Sequence, residues 1–368
     1  MKTMKMTALV LGVGVAAFAA GCGQGDVDSG STHPDDLAAR DTSVVAPAKP
    51  VSDALPAGYV HVPNGVVAHQ DCVHEIPNGA SVDVDGNVTL GGKLVSHFDA
   101  CTHPITLGKR ADGVDRDKSS GLANPPGPSN WIEATWTNAP ANDEFVSSTS
   151  TFKVPNAPSK DNGQIVYLFP SIQGGGGIVQ PVLQYGAFSG GTAGTGLNGS
   201  GGSLGSNSAW TYASWGVTSS NVYHSTGITV NAGDTLESEM AAWSQSNNFI
   251  SWEIVATDQT TSGQAWIVVD FADGTSLWNN AQAAVLEAYG ITSCSDFPST
   301  GYNEFTYPTL SQSTYGSSWS GKQTTLAPNS GIWTALYYTN GLNSGYTGPA
   351  CSFEDYVATT SNGTTLQY

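Results

Sequence analysis

The sequence predicts an all-β fold, a sandwich or a barrel, on three observations. Short apolar or alternating runs recur through the C-terminal two thirds of the chain, turns of Asn, Gly, Asp and Ser separate them, and helical periodicity is missing. Composition agrees: 44 Gly, 11% charged and 10% aromatic residues describe an exported β-rich protein, neither helical nor disordered. A chain of 368 residues holds one large β-domain with accessories, or two ordinary domains.

The first element, residues 1–22, reads as a targeting segment. Lys2 and Lys5 precede an apolar run, 8–20, too short to span a bilayer as a mature helix. Ala19-Ala20-Gly21-Cys22 then resembles a bacterial lipoprotein signal, in which Cys22 becomes the lipidated N-terminus of a cell-envelope protein. Ala19 stands where Leu is usual, so plain secretion is the alternative. The lipid anchor is then the expected membrane contact. Residues 23–56, rich in Asp, Ser, Ala and Pro, read as a flexible tether.

Residues 57–108 form a small unit of short hairpins, marked by Pro63-Asn64-Gly65, Pro77-Asn78-Gly79 and Asp85-Gly86-Asn87. Residues 109–128, basic and then Pro/Gly-rich, read as a linker open to cleavage. Residues 129–368 carry the main strand pattern. Its runs are 145–154, 164–169, 178–186, 210–217, 228–230, 236–243, 250–257, 265–271, 281–289 and 332–338. The Ala-rich run 281–289 is the one that also suits a helix. The Gly/Ser-rich stretch 190–208 reads as a mobile loop.

Five cysteines fit this order. With Cys22 lipidated, Cys72, Cys101, Cys294 and Cys351 make an even set in an oxidising compartment. Pairing by segment, Cys72–Cys101 and Cys294–Cys351, is natural, but three pairings are open. No CxxC or His/Cys ligand spacing occurs, so no metal or cofactor is expected.

The net charge is −18, and after residue 130 only Lys153, Lys160 and Lys322 face 16 Asp and Glu. Nucleic acid is therefore excluded as a partner. Few cations also means few salt bridges for acid to break, which suits a protein working at low pH. An acidic surface kept for solubility is the plainer reading.

Serine chemistry lacks a GxSxG elbow, and His224 is the only histidine of 129–368. What remains is polar groups in apolar strands. Alternation puts Gln180, Val182, Gln184 and Gly186 on one strand face. Glu287 stands alone after an apolar run, so it must be exposed, paired or functional.

In order and spacing, the motifs from Ser129 to Pro298 resemble the glutamic peptidases (eqolisins). Ser129-Asn130-Trp131 is similar to that family's entry, 145–155 to its first long strand ending in Val-Pro, and 164–186 to its Trp-Val-Gly-Ile strand and Gln-x-x-x-Leu-Gln-x-Gly segment. Residues 209–217 are similar to its aromatic strand, 228–234 to its Gly-Asp turn, and 284–289 to the strand bearing the catalytic glutamate. The resemblance implies an antiparallel β-sandwich of two packed, curved, concanavalin-like sheets and an acid-acting endopeptidase. Gln184 and Glu287 would be catalytic, and Trp131, Gln180, Tyr212 and Trp215 would bind substrate. Residues 57–128 would be a pro-segment. Ser214 departs from the family, which carries Glu there. The partner implied is a protein or peptide substrate, met by a monomer without a cofactor.

Three rival readings stand beside it: a glycan-binding module stacking sugars on Trp210, Trp215, Trp243 and Trp252; a glycosidase using Glu237 and Glu239; and an inactive relative. The small unit also gathers His61, His69, His74, His97 and His103, a candidate acid switch whose sign the sequence does not give.

Overall fold

The computed structural model describes residues 55–105, 131–140, 143–174, 177–187, 208–245, 248–272, 277–314, 324–325, 334–337, 349, 351, 353–357 and 363–368. Cys22 and the signal segment, nearly all of the tether, the linker 109–128, Ser129-Asn130 and all of the loop 190–208 but Ser208 lie outside them.

Two curved mixed sheets pack as a sandwich. The nine-stranded sheet runs Thr334–Tyr337, Trp131–Asn138, Asn280–Tyr289, Ile165–Gly174, Gly177–Tyr185, Trp210–Thr218, Val222–Ser225, Val73–Ile76, with Ile228–Val230 also on Trp210–Thr218. The eleven-stranded sheet runs Glu354–Val357, Gly363–Gln367, Tyr302–Thr314, Asp143–Lys153, Thr235–Gln245, Phe249–Asp258, Gly263–Ala272, Ala80–Val82, Asn87–Leu90, Lys93–His97, with Thr324–Thr325 also on Tyr302–Thr314. Among the described residues, pairing is antiparallel except at two seams. Val73–Ile76 lies parallel to Val222–Ser225, and Ala80–Val82 parallel to Gly263–Ala272. The small N-terminal unit thus extends both sheets, one strand run into each.

The run 281–289 is a strand. Ala favours helix only weakly, and here partners on both sides, Trp131–Asn138 and Ile165–Gly174, decide its conformation. Trp131–Asn138 and Tyr302–Thr314 also form strands, which their mixed polar content obscured in the sequence.

Strand alternation sorts side chains into two layers. Between the sheets lie Leu168, Leu183, Tyr212, Ala284 and Leu286 against Phe152, Leu236, Ala265 and Phe305. Further along lie Ile172, Val179 and Ala281 against Met240, Trp252 and Ile267. On the opposite face of the nine-stranded sheet, Trp131, Tyr167, Val182, Trp215, Val285 and Tyr289 pack against Val60, Val62, Val66 and Ala68. Those four belong to a separate hairpin, Tyr59–Val62 with Val66–His69. Both faces are covered, which explains why Gly177–Tyr185 and Asn280–Tyr289 are buried along their whole length.

The disulfides are Cys72–Cys101 and Cys294–Cys351. The first ties the small unit together; the second joins a 3-10 turn to the C-terminal segment.

Gly186 ends its strand with φ +93, and a Cβ there would lie 2.1 Å from the Gln164 carbonyl oxygen. Gly186→Ala is expected to cost about 2 kcal/mol or more, from left-handed strain plus the displaced carbonyl. Thermal unfolding reads this as a fall of roughly 4 °C or more; an unchanged midpoint would contradict it.

Candidate active site

The site lies on the covered face of the nine-stranded sheet, and Glu287 is its centre. The register Gln184↔Tyr167↔Glu287↔Trp131 puts these four residues in one row across four adjacent strands. All four are at most 1% exposed. Gln180 lies two pleat repeats away along the Gln184 strand, on the same face and opposite Trp215.

The hairpin turn Pro63-Asn64-Gly65 reaches into this row. Asn64 and Gly65 both have positive φ, 79 and 66, which Asn and Gly accept most readily. The turn consequently points two consecutive N–H groups at one acceptor. Asn64 N donates to Glu287 Oε2 at 2.6 Å, and Gly65 N to Oε1 at 2.9 Å. The Tyr289 hydroxyl also donates to Glu287 Oε1. A buried carboxylate here is satisfied by peptide N–H groups and a phenol.

The Asn64 side chain is gripped as well. Its Nδ2 donates to Gln180 Oε1 at 2.9 Å and Ser171 Oγ at 3.2 Å, and its Oδ1 accepts from Gln173 Nε2 at 2.7 Å. Gln180 Nε2 donates to the Pro63 carbonyl at 3.2 Å. Tyr167 donates its hydroxyl to the His61 carbonyl at 3.1 Å. Burial first, then the Glu287 charge, holds that phenol well above its ordinary value, so it stays a donor. His61 stacks on Tyr289 with centroids 3.7 Å apart.

Of the residues expected from the sequence, Glu287, Gln180, Trp131 and Trp215 meet on this face. Gln184 shares the row with Glu287 but stands two strands away, about 10 Å between backbones. Its Nε2 donates to the Gly186 carbonyl at 2.8 Å. Tyr212 is a correction. It faces the inter-sheet core and bonds Ser238 Oγ at 2.6 Å and the Glu237 carbonyl at 3.0 Å. Residues 212 and 215 differ by an odd number, so a strand cannot turn both to one face. Ser214 likewise points between the sheets, donating to the Ala265 carbonyl at 2.9 Å.

Ser171, Gln173, Tyr167 and Tyr289 were not singled out from the sequence. The signal available was Gln173 and Gln180 on the two arms of one Gly-rich hairpin, where Gln173 pairs with Ile178 and so shares a sheet face with Gln180, two residues further along that strand. Among the tryptophans offered for sugar stacking, Trp210, Trp215 and Trp252 are buried and Trp243 is 68% exposed. His69, Asp71 and His103, at the far end of the hairpin from its turn, bring one possible metal ligand atom each within 4.8 Å of the others.

No family model and no curated protein matches the chain. Among solved structures it is similar to scytalido-glutamic peptidase with a transition state analog inhibitor and with a peptide-based transition state analog, each at 16% identity and TM-score 0.38. It is also similar to SCP-B, a member of the Eqolisin family of peptidases, in complex with the tripeptide Ala-Ile-His, at 16% identity and TM-score 0.36. Each likeness covers 65% of this chain and 98% of the other.

Proposed function

We propose that this chain is a glutamic endopeptidase, exported on a lipidated Cys22 and held latent by its own 57–108 unit. The observation that carries the reading is the buried Glu287 carboxylate accepting two consecutive backbone N–H groups from a polypeptide turn. A site that grips a peptide backbone so closely is suited to peptide substrates. Residues 59–69 cover it, as a pro-segment would.

Once the hairpin leaves, Glu287 takes a proton from a water beside the scissile carbonyl, and the resulting hydroxide attacks the carbon. Gln184, turned from Gly186, donates its amide to the developing oxyanion. Glu287 then returns the proton to the leaving nitrogen. Gln180 holds substrate, as it holds the Pro63 carbonyl and the Asn64 side chain. This chemistry calls for no metal, and a monomer suffices.

Casein hydrolysis near pH 3–4 tests the division of labour. Gln184→Ala is expected to lower kcat about 100- to 1000-fold, the worth of one oxyanion donor. Gln180→Ala is expected to act mainly on KM. The reverse pattern moves the donor role to Gln180. A wild-type protein that hydrolyses neither casein nor shorter peptides ends the peptidase reading.

A further inference from the structure

We propose that Ser171, Gln173 and Gln180 form a subsite that selects an asparagine side chain in the polypeptide lying across Glu287. The pocket is occupied by Asn64, which is fully buried. What makes it selective is that two of the three groups around the carboxamide, Gln180 and Ser171, are locked in one hydrogen-bonding sense by a second bond.

Gln180 spends its Nε2 on the Pro63 carbonyl, so its Oε1 is the atom turned to Asn64 Nδ2. Ser171 spends its hydroxyl hydrogen on Gln282 Oε1, so it offers Asn64 Nδ2 a lone pair. Gln282 is itself held, donating to Asn280 Oδ1, and Asn280 donates to Asn138 Oδ1 at 2.7 Å. On the other side Gln173 Nε2 offers a hydrogen to Asn64 Oδ1. The pocket therefore presents two acceptors to an NH2 and one donor to a C=O. That arrangement is specific to a carboxamide.

An aspartate would set a carboxylate oxygen against the Gln180 and Ser171 oxygens. A leucine of similar shape would take from Gln180 Oε1, Ser171 Oγ and Gln173 Nε2 the bond each makes to Asn64. Sites built on such groups reject the wrong side chain strongly, because the stranded partners have no water to turn to. A glutamine adds a methylene that a pocket closed on all sides cannot take.

The pocket's part in substrate choice rests on the peptidase reading above; its selectivity for the hairpin does not. Two arms keep these apart. In the first, the full chain carries Asn64→Asp or Asn64→Gly, glycine removing the side chain while accepting the positive φ, and amide hydrogen exchange of residues 60–68 is followed at pH 7. Three hydrogen bonds at roughly five-fold each predict about 100-fold faster exchange in both variants. Exchange within three-fold of wild type in Asn64→Gly overturns the subsite. In the second, wild-type full chain at pH 4 meets peptides differing only in Asn, Asp or Leu at one position. Asn peptides are expected to show about 100-fold higher kcat/KM, a preference that Gln173→Leu removes. Cleavage of all three at equal rates overturns the subsite and leaves the peptidase reading standing. If none is cleaved, the peptidase reading falls and the exchange arm alone decides the pocket.

Discussion

Glu287→Gln is expected to lower casein hydrolysis by about 1000-fold or more while the sandwich stays folded. The substitution keeps the shape and removes the base. A positioned general base is worth roughly 100- to 10,000-fold, and here the same group is assigned both proton transfers. The same change disturbs the latch. A carboxylate accepts on both oxygens, whereas an amide turns an NH2 toward one of the three donors that now converge on Glu287. One N–H or the Tyr289 hydroxyl is stranded, at about 1–3 kcal/mol. Amide exchange across residues 60–68 should therefore rise in this variant as hydrolysis disappears. Hydrolysis within ten-fold of wild type would remove Glu287 from the chemistry, whatever the hairpin does.

Acidification is expected to loosen the seam between the small unit and the nine-stranded sheet, and His224 is the group that sets the size of the effect. It lies on Val222–Ser225, in register with Glu75 of the parallel strand Val73–Ile76. Its Nδ1 lies 2.9 Å from the Ser225 carbonyl, its ring packs 4.8 Å from Trp215, and its Nε2 has no hydrogen-bond partner among the described residues. Burial lowers its pKa to about 4; the Ser225 hydrogen bond opposes this and His74 adds to it. His74, stacked on Phe98 and bonded to Asn221 at 3.1 Å, is also lowered, first by burial, with Asn221 and Asp71 opposing. A folded pKa below the unfolded 6.5 means that the unfolded chain binds more protons between those values. The His224 contribution is present in full above pH 6.5 and is lost as pH falls toward 4. The loss is about 3 kcal/mol, from 1.36 kcal/mol per unit.

Two acids of the eleven-stranded sheet run the other way. Burial first, then neighbouring carboxylates, raises Glu253 and Asp270, the second against a hydrogen bond from Ser251. Both groups are only half-buried, so the relief on protonation is screened and small but opposite in sign. The seam is thus expected to weaken in acid more than the sandwich. Hydrogen exchange of residues 73–76 and 222–225 at pH 7 and pH 4.5 measures it, and His224→Gln should remove most of the difference. Equal exchange at both pH values would exclude an acid-released latch.

What the sequence determined by itself is everything that depends on period and on residue type. Alternating runs between Asn/Gly turns specified strands, because side chains of a strand part to two faces every second residue. Pro63-Asn64-Gly65 specified a tight turn, since Asn and Gly take positive φ cheaply, and Glu287 stood out because a carboxylate in an apolar strand needs partners. Tertiary structure alone decided which partners those were. The N–H groups on Glu287 come from more than 220 positions away, and the carboxamide pocket joins residues 64, 171, 173 and 180 across separate strands. Register between distant strands decides such meetings. A one-residue slip exchanges the faces, as the burial of Tyr212 away from Trp215 illustrates. The same holds for the acid switch: a histidine's position in the chain gives it no sign, and only its burial against the Val73–Ile76 seam does.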